Sequence, residues 1–87
     1  MAKYDIRIKS SAVKELKKFP SADIRLILSA IDALADDPRP AGSQKLSGME
    51  YYRIRCGVYR IVYEIQDSVL LVMIIKIGHR KDVYRRV

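Results

Sequence analysis

Nine residues, Tyr52-Arg53-Ile54-Arg55-Cys56-Gly57-Val58-Tyr59-Arg60, place three arginines around one glycine. Gly57-Val58 suits a two-residue type II′ hairpin turn, whose first residue takes a positive φ. That turn pairs Cys56 with Tyr59, Arg55 with Arg60, Ile54 with Ile61, Arg53 with Val62 and Tyr52 with Tyr63. One face then carries Cys, Ile and Tyr, and the other carries Arg53, Arg55 and Arg60. A slip of one residue would bury two arginines, so the pattern specifies the register. Like charges directly opposite each other cost roughly 0.2–1 kcal/mol. Glu64, on the arginine face, is placed to offset part of that repulsion. A solvated sheet face is one reading of this cluster. The other is an anion site, because guanidinium groups on rigid strands can grip phosphate bidentately. The tolerated like-charge pair favours the anion site.

Other residues that could do chemistry are few. His79 is the single histidine, and it lies between Gly78 and Arg80 just beyond an apolar run. It is either an exposed bystander or an acid–base group for a sheet-based site. Tyr84 is either a base-stacking platform or an edge contact. Asp36 and Asp37 are the only adjacent carboxylates, and their place before Pro38 marks them as loop punctuation. No His/Cys cluster has ligand spacing, and no carboxylates are paired for two metals. A Gly-rich phosphate loop and a Ser/His/Asp signature are also missing. No cofactor is expected. Phosphoryl chemistry on this chain would therefore run without a metal, which points to RNA. The 2′-hydroxyl of RNA can attack the adjacent phosphate, given cations for the phosphate and groups to take and return a proton.

The chain bounds these options. Its 87 residues make one domain spanning 1–87, with a thin margin for a core. Lys and Arg total 17 against 10 Asp and Glu, a net charge of +7. Residues 1–52 hold 9 basic and 7 acidic residues, net +2, and residues 53–87 hold 8 and 3, net +5. The basic second half implies an anionic partner. A single cysteine excludes an internal disulfide and suits a reducing compartment. The opening MAKYDIRIK has no signal-like apolar stretch, and the longest apolar run is too short to cross a bilayer. A soluble, cytoplasmic protein with no membrane role is the expectation.

The elements that must position the arginines follow from periodicity. Tyr4, Ile6 and Ile8 alternate with polar residues and predict a strand over 3–9. Ser10 and Ser11 are N-cap candidates for a short helix over 11–19. Pro20 breaks that helix, and Ser21 is the N-cap candidate for the next. Ile24, Ile27, Leu28, Ile31, Leu34 and Ala35 then form a helical stripe ending before Pro38. Residues 36–49 read as a loop. Residues 51–56, 58–65 and 69–77 read as three strands of an antiparallel meander, the third apolar on both faces and so central. The expected architecture is α+β: an N-terminal strand, an antiparallel two-helix hairpin and the three-strand meander, with both helices on one sheet face. Lys76 could fall on either face of its strand.

The run KLSGM…YRIRCGVYRIVYEI…VMIIKIGHRKDVYRR resembles the RelE branch of the RelE/ParE toxin superfamily of type II toxin–antitoxin systems. The resemblance covers nearly the whole chain. It implies a ribosome-dependent endoribonuclease that cuts mRNA in the ribosomal A site without a metal. It also implies a RelB-like antitoxin as partner in a hetero-oligomer. The family's site falls on Arg53 and Arg55 before the turn, Arg60 after it, Arg80 of the G-H-R motif, and Tyr84. Arg60 and Arg80 would stabilise the transition state, and Tyr84 would orient or stack a base. Lys76, Lys81, Arg85 and Arg86 are further candidates for the RNA backbone. Better-known members carry lysines where this chain has Arg53 and Arg55. A guanidinium is a poor proton acceptor, so His79, Glu50 or the ribosome is left to take the proton. Two alternatives belong to other classes: a ParE-like toxin that poisons gyrase without nuclease activity, and a non-catalytic basic module for an acidic protein.

Overall fold

The structure, a computed structural model, describes residues 3–46, 48 and 50–79. Strand β1 (Asp5–Ile8) leads into helices α1 (Ser10–Leu16) and α2 (Ser21–Ala33). Strands β2 (Gln44–Lys45), β3 (Tyr51–Cys56), β4 (Tyr59–Gln66) and β5 (Leu71–His79) follow. They form one five-stranded sheet in the order β1-β5-β4-β3-β2. β1 runs parallel to β5, and every other pairing is antiparallel. The α+β class, the helix pair on one face, the meander and an interior third strand are as the sequence predicts.

The departures have local causes. The predicted loop 36–49 contains β2, two residues that pair with Arg53 and Tyr52. Neither Ser10 nor Ser21 caps a helix with its side chain. Lys9 and Pro20 hold the cap positions with extended backbone, and each serine is the first helical residue. Pro20 suits that place because its φ is fixed and it has no N–H to satisfy. β5 starts two residues later than predicted, since Asp67–Val69 form a 3₁₀ turn and Leu70 follows in left-handed backbone at φ 52°. Leu28, part of the predicted stripe, faces outward at 41% exposure.

The core lies between the sheet and the helices. Ala12 and Leu16 of α1, with Ile27 and Ile31 of α2 and Leu34 just beyond it, bury against Ile54, Ile61, Tyr63, Val72, Ile74 and Ile77. α1 lies over β5 and α2 over β3. A bulge interrupts the β4–β5 ladder. Val62 pairs with Lys76 but Tyr63 pairs with Ile74, so Ile75 is the extra residue. This lets Val72 and Ile74 point inward on one side of the bulge and Ile77 on the other. Glu15 of α1 binds the bulged segment, accepting from Lys76 Nζ at 3.0 Å and from the Ile77 N–H at 3.4 Å.

Tyr63 is fully buried, and its hydroxyl donates to the Pro38 carbonyl at 2.7 Å. Burial pushes its phenol up to about 12. Tyr63→Phe orphans that carbonyl and is expected to lower unfolding free energy by about 1–3 kcal/mol. Denaturant titration of both proteins checks this, and an unchanged midpoint would refute it.

A polar clasp fixes the opposite corner. Arg39 donates to both Asp67 oxygens, at 3.3 and 2.9 Å, and to Tyr52 Oη at 3.2 Å. Tyr4 Oη donates to Asp67 at 2.6 Å. These bonds, led by Arg39, hold the Asp67 carboxyl below its ordinary 3.8. A depressed folded pKa stabilises the fold above the unfolded value, and the stabilisation is lost as pH falls through the folded one. Asp67→Asn should therefore lower the melting temperature at neutral pH and narrow the wild-type lead as pH drops below about 4. A lead that widens on acidification would refute the linkage.

Candidate functional site

The site is built on the β3–β4 hairpin. Gly57 takes φ 60° in the turn while Val58 does not enter the positive region, as a type II′ turn requires. The observed pairs are Cys56–Tyr59, Arg55–Arg60, Ile54–Ile61, Arg53–Val62 and Tyr52–Tyr63, which is the register the sequence predicts. Alternation then sends Ile54, Ile61 and Tyr63 into the core and leaves Arg53, Arg55 and Arg60 on the face away from the helices. On the helix side, Tyr59 Oη donates to Asp23 of α2 at 2.7 Å and its ring lies 4.5 Å from that of Phe19. The hairpin carrying the arginines is thereby tied to α2 and to the connection between α1 and α2.

The three guanidinium groups differ in environment. Arg55 is exposed. Arg60 is half-buried, with Arg55 opposite on one side and Gly78, which has no side chain, opposite on the other. One Arg60 amino group donates to the Tyr59 carbonyl at 3.4 Å. Arg53 is only 5% exposed and donates to the Gln44 side-chain oxygen on β2. The Nε–H groups of Arg53 and Arg60 are buried without a partner. No carboxylate pairs with any of the three among the described residues. The ion pairs of the described residues lie elsewhere, at Lys3–Asp36, Arg39–Asp67, Lys45–Glu50 and Lys76–Glu15. Glu64, in phase with the arginines, forms no ion pair with them among the described residues. It sits opposite Tyr51 and accepts from Gln66 at 2.8 Å. Three neighbouring arginines thus have no carboxylate counter-ion among the described residues, and two of them carry buried donors without a partner.

The remaining candidates fall in different places. Lys76 sits at the bulge opposite Val62, and its ammonium is held by Glu15 of α1. His79 ends β5 opposite Tyr59. It shares its phase with Ile77 on the helix side, so the ladder does not bring it onto the arginine face. Glu50 is exposed and 3.9 Å from Lys45. Arg80, Lys81, Tyr84, Arg85 and Arg86 lie outside the described residues. Among the described residues no group of three or more His, Cys, Asp or Glu could hold a metal ion, and no helix is long and apolar enough to cross a membrane. Sequence reasoning missed Gln44 as the partner of Arg53. Its signal, a polar residue in a loop, has no periodicity to read. An open groove of about 740 Å³ beside β3, lined by Arg53, Arg55, Ile54 and the 40–44 segment, was also not visible in the sequence.

Fold and site together define a small α+β domain with an arginine row that no carboxylate pairs among the described residues. The model of the family described as the ParE toxin of the type II toxin–antitoxin system parDE matches residues 6–84. Toxin RelG of Mycobacterium tuberculosis is 31% identical, over 95% of this chain and 98% of its own. A putative toxin RelE1 of Methanocaldococcus jannaschii is 28% identical, over 95% and 97%. Among solved structures, the archaeal RelE–RelB complex of Pyrococcus horikoshii superposes with a TM-score of 0.82 at 30% identity, covering 93% of this chain and 99% of that one. The intact RelBE toxin–antitoxin complex of Escherichia coli gives 0.75 at 30%, covering 87% and 95%. The chain belongs to the RelE/ParE family of type II toxin–antitoxin toxins and is RelE-like in fold.

Proposed function

We propose that this toxin is a ribosome-dependent endoribonuclease that cuts mRNA in the ribosomal A site and so stops translation in the cytoplasm. The observation that carries the reading is the row Arg53, Arg55 and Arg60, held on paired strands with no carboxylate partner among the described residues. A scissile phosphate docked there meets fixed cations where negative charge builds up in the transition state. The 2′-oxygen attacks the adjacent phosphorus and the bond to the 5′-oxygen breaks. The 2′ proton leaves to a base, and the 5′-oxygen takes up a proton. The resemblance adds Arg80 to the phosphate cations and Tyr84 to the base contacts. Lys81, Arg85 and Arg86 would extend the RNA path, whereas Lys76 would first have to leave Glu15. Guanidinium groups bind the phosphate but accept no proton, so the base is His79, Glu50 or a ribosomal group. The reaction as drawn needs neither metal nor cofactor.

A RelB-like antitoxin would neutralise the toxin in a hetero-oligomer, as suggested by the solved RelE–RelB complexes of Pyrococcus horikoshii and Escherichia coli. A second reading follows from the family model, which is that of ParE: inhibition of gyrase by protein contact, without nuclease activity. Primer extension on translated and on naked mRNA, run beside a gyrase supercoiling assay, separates the two. Cleavage confined to translated mRNA with normal supercoiling supports the nuclease. Intact mRNA with blocked supercoiling supports the other. Intact mRNA, normal supercoiling and no growth arrest on expression would leave only a non-catalytic basic module.

A further inference from the structure

Arg53 is held by a neighbour that leaves its charge uncancelled. Its row across the sheet reads Gln44, Arg53, Val62 and Lys76, each directly opposite the next. Opposite residues share a face, so the Gln44 side chain lies beside the Arg53 guanidinium. One terminal amino group of Arg53 donates to Gln44 Oε1. A guanidinium only donates, so this bond also fixes which end of the amide faces the arginine. The Arg53 Nε–H stays buried without a partner, in a residue that is 5% exposed.

Glutamine is not the most stabilising partner for a buried guanidinium. A glutamate at 44 would have the same length and would bind more strongly, because an ionised acceptor adds charge attraction to the hydrogen bond. Gln44 is exposed, so a carboxylate there would keep most of its hydration. Stability alone therefore favours glutamate. What glutamine does differently is to fix the fork without cancelling its charge. The groove of about 740 Å³ is lined by Gln44, Arg53 and Arg55 together, so an anion entering it meets a guanidinium already held in one orientation. A contact held in place beforehand need not be ordered during the reaction.

We propose that Gln44 is a positioning residue for RNA cleavage: it aims the Arg53 guanidinium, with its unpartnered Nε–H, at the scissile phosphate without neutralising it. The proposal rests on the nuclease reading above. Gln44 acts through Arg53 and need not touch the phosphate itself. Gln44→Met keeps the length but lacks a strong acceptor, so the fork is no longer held. Gln44→Glu holds the fork more firmly and cancels its charge. Glutamate would repair a bond that is only structural, but it would not repair one that presents a cation.

Cleavage of a translated message at saturating toxin, beside a circular dichroism melt, tests this. Gln44→Met should cut up to about 10²-fold more slowly. The half-saturating toxin concentration should change little, since a contact made in the transition state is lost from the rate and not from binding. Gln44→Glu should also cut more slowly while melting at a higher temperature. Gln44→Asn, one methylene shorter, replaces the methionine variant if that one does not melt cooperatively. Full-rate cleavage by Gln44→Glu would show the bond to be structural only, and full-rate cleavage by Gln44→Met would show that it is not needed. Either result overturns the proposal. A second readout involves no ribosome. In the full chain labelled with ε-¹⁵N arginine, the Arg53 peak is assigned from its absence in Arg53→Met. Inorganic phosphate should shift that Nε–H in the wild type and shift it less in both variants. If the wild type leaves translated mRNA intact, the nuclease reading falls and this titration decides by itself whether Gln44 presents Arg53 to phosphate. An Arg53 peak that ignores phosphate, or responds equally in all three proteins, overturns the proposal.

Discussion

Under the proposed nuclease function, Arg60→Ala should lower translation-dependent mRNA cleavage by about 10²–10³-fold and leave the fold intact. Arg60 lies on an interior strand, between Arg55 of β3 and Gly78 of β5. Its bond to the Tyr59 carbonyl, at 3.4 Å, is long, and its buried Nε–H is unfilled. The protein therefore gains little from this guanidinium, whereas a phosphate beside it would gain a partly desolvated, oriented cation. Removing it also relieves the repulsion of Arg55, so the melting temperature should hold or rise slightly. Arg60→Lys keeps the charge but loses the planar fork, and should fall between wild type and alanine. Primer extension on a translated message reads the activity, and a circular dichroism melt reads the fold. Undiminished cleavage by a folded Arg60→Ala protein would end the assignment of this face to phosphate chemistry.

Arg53→Met should raise stability and lower the proposed activity in the same molecule. Arg53 is 5% exposed, with an acceptor on Gln44 and an unsatisfied Nε–H. Replacing an imperfectly compensated buried charge with a packed apolar chain of similar length is worth about 1–4 kcal/mol. In a domain of this size, each kcal/mol moves the melting temperature by about 4–8 °C. Gln44 is exposed and turns to water when its partner goes, so the loss on its side is small. Activity should fall because one of three phosphate cations is gone. Denaturant unfolding beside the cleavage assay checks both halves. An Arg53→Met protein less stable than wild type would show the guanidinium to be a structural bond, and the surface would then rest on Arg55 and Arg60 alone.

These effects could be framed from the sequence because the hairpin is over-specified. Gly57 fixes the turn, alternation fixes the faces, and any slip buries arginine, so three independent constraints agree on one register. The helices were legible for a related reason: Ile24, Ile27, Ile31 and Leu34 repeat at a helical period. The rest depended on contacts that leave no periodic trace. β2 is two residues inside a Pro/Gly-rich loop, and it forms because β3 offers an edge there. The parallel neighbour of β1 is chosen by sheet order, which the chain order does not encode. Arg39, Asp67 and Tyr4 meet across separations of 28 and 63 residues, and nothing local marks them as partners. Among the site residues, the sequence named the arginines correctly as a row. It could not show that Arg53 is buried, that Lys76 is held by Glu15, or that His79 shares its phase with the core.

The extra residue in β5 also has a genetic consequence. Upstream of Ile75 the strand is read in one phase and downstream in the other. Losing that single codon would remove the bulge and leave Ile74, Lys76 and Ile77 in plain alternation. Lys76, Ile77, Gly78 and His79 would keep the faces and partners they have now. Such a deletion should therefore be no commoner than chance among escape mutants selected for survival of toxin expression.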